Sequence, residues 1–76
     1  FKGAGNLEGA IACYEQAIAL EPTYAEAHQG LGASLMKGGQ ILPSLEAFRR
    51  AIALYEQQGS PEAARLRQVL QEMTLA

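Results

Sequence analysis

The sequence predicts an all-α protein built from antiparallel helical hairpins, and three observations carry that prediction. AIAL stands at residues 17–20 and again at 51–54, an offset of 34. The same offset pairs Gly5 with Gly39, Leu7 with Ile41, Ile11 with Leu45, Tyr14 with Phe48 and Phe1 with Leu35. Apolar residues recur in steps of three and four, as one buried helix face requires, and no stretch alternates as a strand would.

Each element follows from its own residues. Leu7, Ile11, Tyr14 and Ile18 form the stripe of a first helix, which the EPTYAE stretch at 21–26 ends. Pro22 cannot continue a helix, and Thr23 is the expected cap of the next one. Ala27, His28, Leu31, Gly32 and Leu35 trace the stripe of that second helix. It stops at KGGQ (37–40), where Gly38 or Gly39 can take the left-handed conformation of a helix C-terminus. Pro43 suits the first turn of a third helix, whose stripe is Leu45, Phe48, Ile52 and Tyr55. GSPEAA (59–64) stops and restarts the chain, with Ser60 as cap and Pro61 at the first helical position. The fourth helix shows Ala63, Leu66, Val69, Leu70 and Met73 on one side.

Length and charge exclude several functions. A chain of 76 residues is enough for one small domain, and such a fold buries only about 60% of the surface its unfolded chain exposes. Cys13 is the single cysteine, so no internal disulfide supplements the core, and an unpaired thiol fits a reducing cytoplasm. All eight acids are glutamates, and the net charge is −2. There is no basic stripe for a phosphate backbone, and no apolar run approaches the roughly 20 residues that span a bilayer. The Arg49–Arg50 and Arg65/Arg67 pairs read as solvated helix faces. The chain opens at Phe1 without Met, which predicts a segment cut from a longer protein or processed.

A helix–turn–helix period of 34 residues resembles the tetratricopeptide repeat, whose pattern runs W-x2-L-G-x2-Y, A-x3-F and finally Pro. His28-x2-Leu31-Gly32-x2-Leu35 matches the first part, with His and Leu in place of the aromatics. Ser44-x3-Phe48 and Ala51 match the second, with Ser44 in place of Ala. One period earlier stand Gly5, Ala10-x3-Tyr14, Ala17 and Pro22. Glu56 replaces the second proline, so the third helix is expected to run on past Tyr55 towards Gln58. The resemblance implies a short right-handed α-solenoid in three pieces. Residues 1–22 would be the end of an inner helix plus its outer helix, 23–58 a complete repeat, and 59–76 a C-terminal capping helix.

The stretch HQGLGASLMKGG (28–39) invites a phosphate-loop reading, with four glycines and a lysine. That reading fails on spacing. Gly30 and Gly32 lack the third glycine and preceding strand of a dinucleotide fingerprint, and Lys37 precedes its glycines with no Ser or Thr following. Gly32 is instead expected where two helices approach closely. His28 is expected as a packed imidazole with its nitrogens satisfied. One His and one Cys cannot build a zinc site within the chain, and no Asp is present to organise a nucleophile. No catalytic residue, metal or cofactor is expected.

The resemblance implies a protein-interaction module that holds a peptide or partner helix on the concave face of its inner helices. If His28, Leu31, Gly32 and Leu35 face the outer helix, Glu26, Gly30, Ala33 and Lys37 point away from it, with Gln29 and Met36 at the margins. Gly30 and Ala33 would leave room for a partner backbone. Ala63, Arg67 and Gln71 of the fourth helix would extend the lining. One subgroup of the family clamps a C-terminal carboxylate with Lys and Asn, but Gln29 and Ala33 stand at those places here, so that activity does not carry over. The alternative is a docking segment of a larger, enzymatic protein. An incomplete first repeat also predicts self-association near Phe1, Ala4 and Leu7, since helical repeats need about three units for a continuous core.

Overall fold

The computed structural model describes residues 3–75 and consists of four helices in succession. They are α1 (Gly3–Leu20), α2 (Ala25–Lys37), α3 (Ile41–Gln57) and α4 (Glu62–Leu75). Each packs against its neighbour in sequence, α1 on α2, α2 on α3 and α3 on α4. This is the expected stack of helical hairpins. Among the described residues no helix is long and apolar enough to cross a membrane.

The turns settle which residues punctuate the chain. Of the two candidate glycines after α2, Gly39 takes the left-handed conformation (φ +84°), while Gly38 stays at −83°. The Gln40 amide then reaches back to the Leu35 carbonyl at 2.9 Å. The end of α3 repeats the device: Gly59 has φ +69°, and the Ser60 amide bonds the Tyr55 carbonyl at 2.9 Å. This six-to-one bond closes a helix that only a residue free of a Cβ can leave at low cost. As expected, α3 runs to Gln57, and the Ser60 hydroxyl accepts the Glu62 amide at 3.2 Å at the start of α4.

One local expectation fails. Thr23 does not cap α2. The N-cap is Tyr24, whose carbonyl already accepts from the Ala27 and His28 amides, so Thr23 sits one residue outside the capping position. Gly5, matched by period to the turn residue Gly39, lies within the continuous α1. Phe1, assigned to an inner helix, lies outside the described residues.

The core forms where α2, α3 and α4 meet. Ala25, Phe48, Ala51, Ile52, Tyr55, Ala63 and Leu66 are buried together, with Met36, Leu54 and Leu70 packed against them. Gly32 lies under the Phe48 ring: a Cβ there would stand 3.1 Å from three of its carbons. The expected close approach of α2 to α3 is therefore filled by an aromatic ring. His28, 5% exposed, sits on the same stripe and satisfies its Nε2 on the Pro22 carbonyl at 3.0 Å. That bond ties the middle of the first α2 turns back onto the preceding loop. By contrast, none of the described side chains of α1 is fully buried; Leu7, Ala10, Ile11, Tyr14, Ala17 and Ile18 are half-buried.

Ser44, 0% exposed between α3 and α2, carries a hydroxyl without a hydrogen-bond partner. A buried unsatisfied hydroxyl costs about 1–3 kcal/mol, and Ala is the better helix former. Ser44→Ala is expected to stabilise the chain by about 1 kcal/mol, read as a higher urea midpoint at unchanged slope. A lower midpoint contradicts the assignment.

Candidate peptide-binding face

The open face of α2 is set by what its neighbours take. Towards α3 go Ala25 and Gly32, towards α1 go Ala27 and Ser34, and His28 and Leu35 lie between the two, all buried. Glu26, Ala33 and Lys37 are left exposed on one side of the helix, Ala33 two turns beyond Glu26 and Lys37 one turn beyond Ala33. Gln29 and Met36 are half-buried at the α3 margin. This is the distribution that a helix clamped from two sides produces. It brings five of the sequence-expected residues onto one surface.

Gly30 departs from expectation. A Cβ built there would lie 2.4 Å from the Tyr14 ring of α1, so the space its missing side chain leaves is filled from within. Gly30 is a seat for Tyr14 and offers no opening to a partner backbone. Ala33 is the small residue of α2 that stays exposed. Ala63, also expected in the lining, is 5% exposed and belongs to the core. Val69, expected on the apolar side of α4, is 47% exposed. The turn between α3 and α4 sets the rotation of α4, and the stripe that meets α3 is Ala63, Leu66 and Leu70.

Tyr55 links the inner-face margin to the core. It is 3% exposed, and its hydroxyl donates to the Gln29 side-chain carbonyl at 2.8 Å. Gln29 is thus fixed by α3, and its amide group remains as the donor it can present. Burial raises the Tyr55 pKa above 10.0, and the nearby Glu26 and Glu62 carboxylates raise it further. Glu62 of α4 therefore stands close enough to Tyr55 for its charge to be felt. It pairs with Arg65 at 3.8 Å on an exposed surface, a contact of small energetic weight. Arg67 pairs with Glu56 of α3, and Gln71 is exposed on α4. Sequence reasoning missed Tyr14, Tyr55, Glu56 and Glu62 here. All four lie outside the helix whose periodicity defined the face.

Depressions flank α2 on both sides. One, of about 330 Å³, has Lys37 and Ser34 on one side and Asn6, Leu7 and Ala10 on the other. A second, of about 380 Å³, lies on the reverse side, where α1 and α3 diverge over His28, Leu31 and Leu35. Among the described residues no three His, Cys or Glu side chains gather as metal ligands.

Tyr55→Phe deletes the bond to Gln29 and is expected to cost about 1 kcal/mol at neutral pH. The pH dependence has a definite sign. A phenol whose folded pKa exceeds 10.0 contributes stability that is present below that pH and lost as pH rises through the folded value. The deficit of Tyr55→Phe should therefore shrink above pH 10 in denaturation curves, and a deficit that grows there contradicts the assignment.

Comparison with known proteins agrees with this architecture. The family model described as TPR repeat matches residues 3–39, from α1 through the glycine turn after α2. A TPR repeat-containing protein of Synechococcus elongatus is 54% identical over 57 residues, which cover 75% of this chain. The chain spans only 14% of that relative's length. No solved structure matches. With its 34-residue period, its glycine-to-aromatic packing and these two matches, the chain belongs to the tetratricopeptide repeat family.

Proposed function

We propose that the chain is a protein-interaction module whose inner face holds an extended peptide or partner helix. Glu26, Gln29, Ala33, Met36 and Lys37 of α2 would form the floor, and Arg67 and Gln71 of α4 would extend it. One observation carries the reading: a small exposed residue, Ala33, stands between polar residues on a helix braced from both sides by aromatic rings. Such a surface is rigid before a partner arrives, so little side-chain freedom is lost on binding. The chain's role is recognition, without chemistry of its own. The exposed, unpaired Cys13 favours a reducing, cytoplasmic setting.

A second reading has its own support. Because the chain spans 14% of its relative, it also fits a docking segment that positions other parts of a larger multidomain protein, an enzyme included. The half-buried Leu7, Ala10 and Ile11 on α1 favour covering of that helix by another chain, the self-association expected from an incomplete first repeat. Phe1 and the side chain of Ala4, also named for that contact, lie outside what the structure describes.

Peptides selected by display against the 76-residue chain supply the test. Amide shifts on binding should centre on Gln29, Ala33 and Lys37. Ala33→Tyr, which fills the floor, should weaken binding at least about tenfold while leaving the melting temperature in place. Binding that avoids these residues, or ignores Ala33→Tyr, contradicts the assignment.

A further inference from the structure

A third depression, of about 350 Å³, opens between the middle of α1 and the start of α2. Cys13, Tyr14 and Ala17 line it from α1, and Tyr24, Glu26 and Ala27 from the other side. Its chemistry is distinctive: two phenol rings, one carboxylate and small apolar walls, with no Lys or Arg in the lining. Tyr14 is fixed there by its seat on Gly30. Tyr24 is 45% exposed, and although it stands at the N-cap of α2 its side chain makes no capping bond. Glu26 is exposed and takes no part in the ion pairs among the described residues, which use Glu62 and Glu56.

We infer that this depression takes the cationic head of a basic side chain, a guanidinium or ammonium group. That side chain would come from the peptide lying along α2, so the inference rests on the reading given above. The faces of aromatic rings attract cations through their quadrupole, and Arg is the side chain most often found there. Glu26 adds a full negative charge at the mouth. The start of a helix favours anions, but its partial charge is about half an elementary unit, less than the carboxylate that offsets it. An anionic ligand would meet Glu26 and two phenol rings with no compensating base in the lining, since Lys37 lies at the far end of the helix. The same negative field acts on the other side of α2, where Glu26 and Glu62 both hold up the Tyr55 pKa.

The test uses N-acetylarginine amide and its neutral isostere N-acetylcitrulline amide, titrated into the isotopically labelled chain. The arginine probe should give saturable amide shifts at Cys13, Tyr14, Tyr24 and Ala27. The citrulline probe should bind about fivefold more weakly, and Glu26→Gln should weaken the arginine probe by a similar factor. Tyr24→Leu should do the same at an unchanged melting temperature. Equal response to the two probes, or no effect of Glu26→Gln, overturns the inference. The two readings fail separately. A display-selected peptide that keeps its affinity when its arginines become citrulline overturns the cation site and leaves the α2 face standing. Probe shifts that persist while no peptide touches Gln29, Ala33 or Lys37 overturn the face and leave the cation site.

Discussion

The structure depends on the close approach of α2 to both of its neighbours, made possible by two glycines two residues apart. Gly32 receives the Phe48 ring of α3, and Gly30 receives the Tyr14 ring of α1. A glycine in a helix interior costs about 1 kcal/mol relative to alanine. Burying an aromatic ring returns roughly 2–3 kcal/mol, so the exchange is favourable only while the rings fill the space. The period places Tyr14 and Phe48 at equivalent positions, yet they reach opposite sides of one helix. A small chain without a disulfide thereby gains a core that bridges successive hairpins.

The open surface is a consequence of that clamp. With α2 committed to α3 through Gly32 and to α1 through Gly30, Glu26, Ala33 and Lys37 are its fully exposed residues, with Gln29 and Met36 half-buried beside them. Tyr55 adds a third constraint by holding Gln29 from below. Stability and exposed surface are therefore coupled: the residues that hold the fold together also decide which α2 side chains stay open. The positive-φ glycines at 39 and 59 complete the arrangement by turning each helix back along its predecessor.

Much of this was legible in the sequence because helical repeats write their packing locally. The 34-residue period, the stripes, Pro43, Ser60 and the glycine after α2 all act within one turn or one period. What escaped was set by tertiary contact. Gly30 looked open because a helical projection shows where a residue points and not what a neighbouring ring fills. Thr23 failed by a single residue, since Tyr24 took the capping position. Ala63 stays with Leu66 and Leu70 on the apolar side and so drops out of the lining, while Val69 leaves that side for solvent, because a short helix with scattered apolar residues permits more than one rotation. The pairing of Arg67 with Glu56 and of Tyr55 with Gln29 joins residues on different helices that no spacing links.

A double-mutant cycle between Gly32 and Phe48 tests the clamp most directly. A methyl at position 32 gains helix propensity of about 1 kcal/mol but meets the ring at 3.1 Å. Phe48→Leu removes the ring while keeping the site apolar. The clamp predicts that Gly32→Ala is more favourable in the Phe48→Leu background than in the natural chain, by a coupling of about 1 kcal/mol in denaturant unfolding. Equal effects of Gly32→Ala in the two backgrounds would show that the glycine and the ring act independently, and would contradict the account.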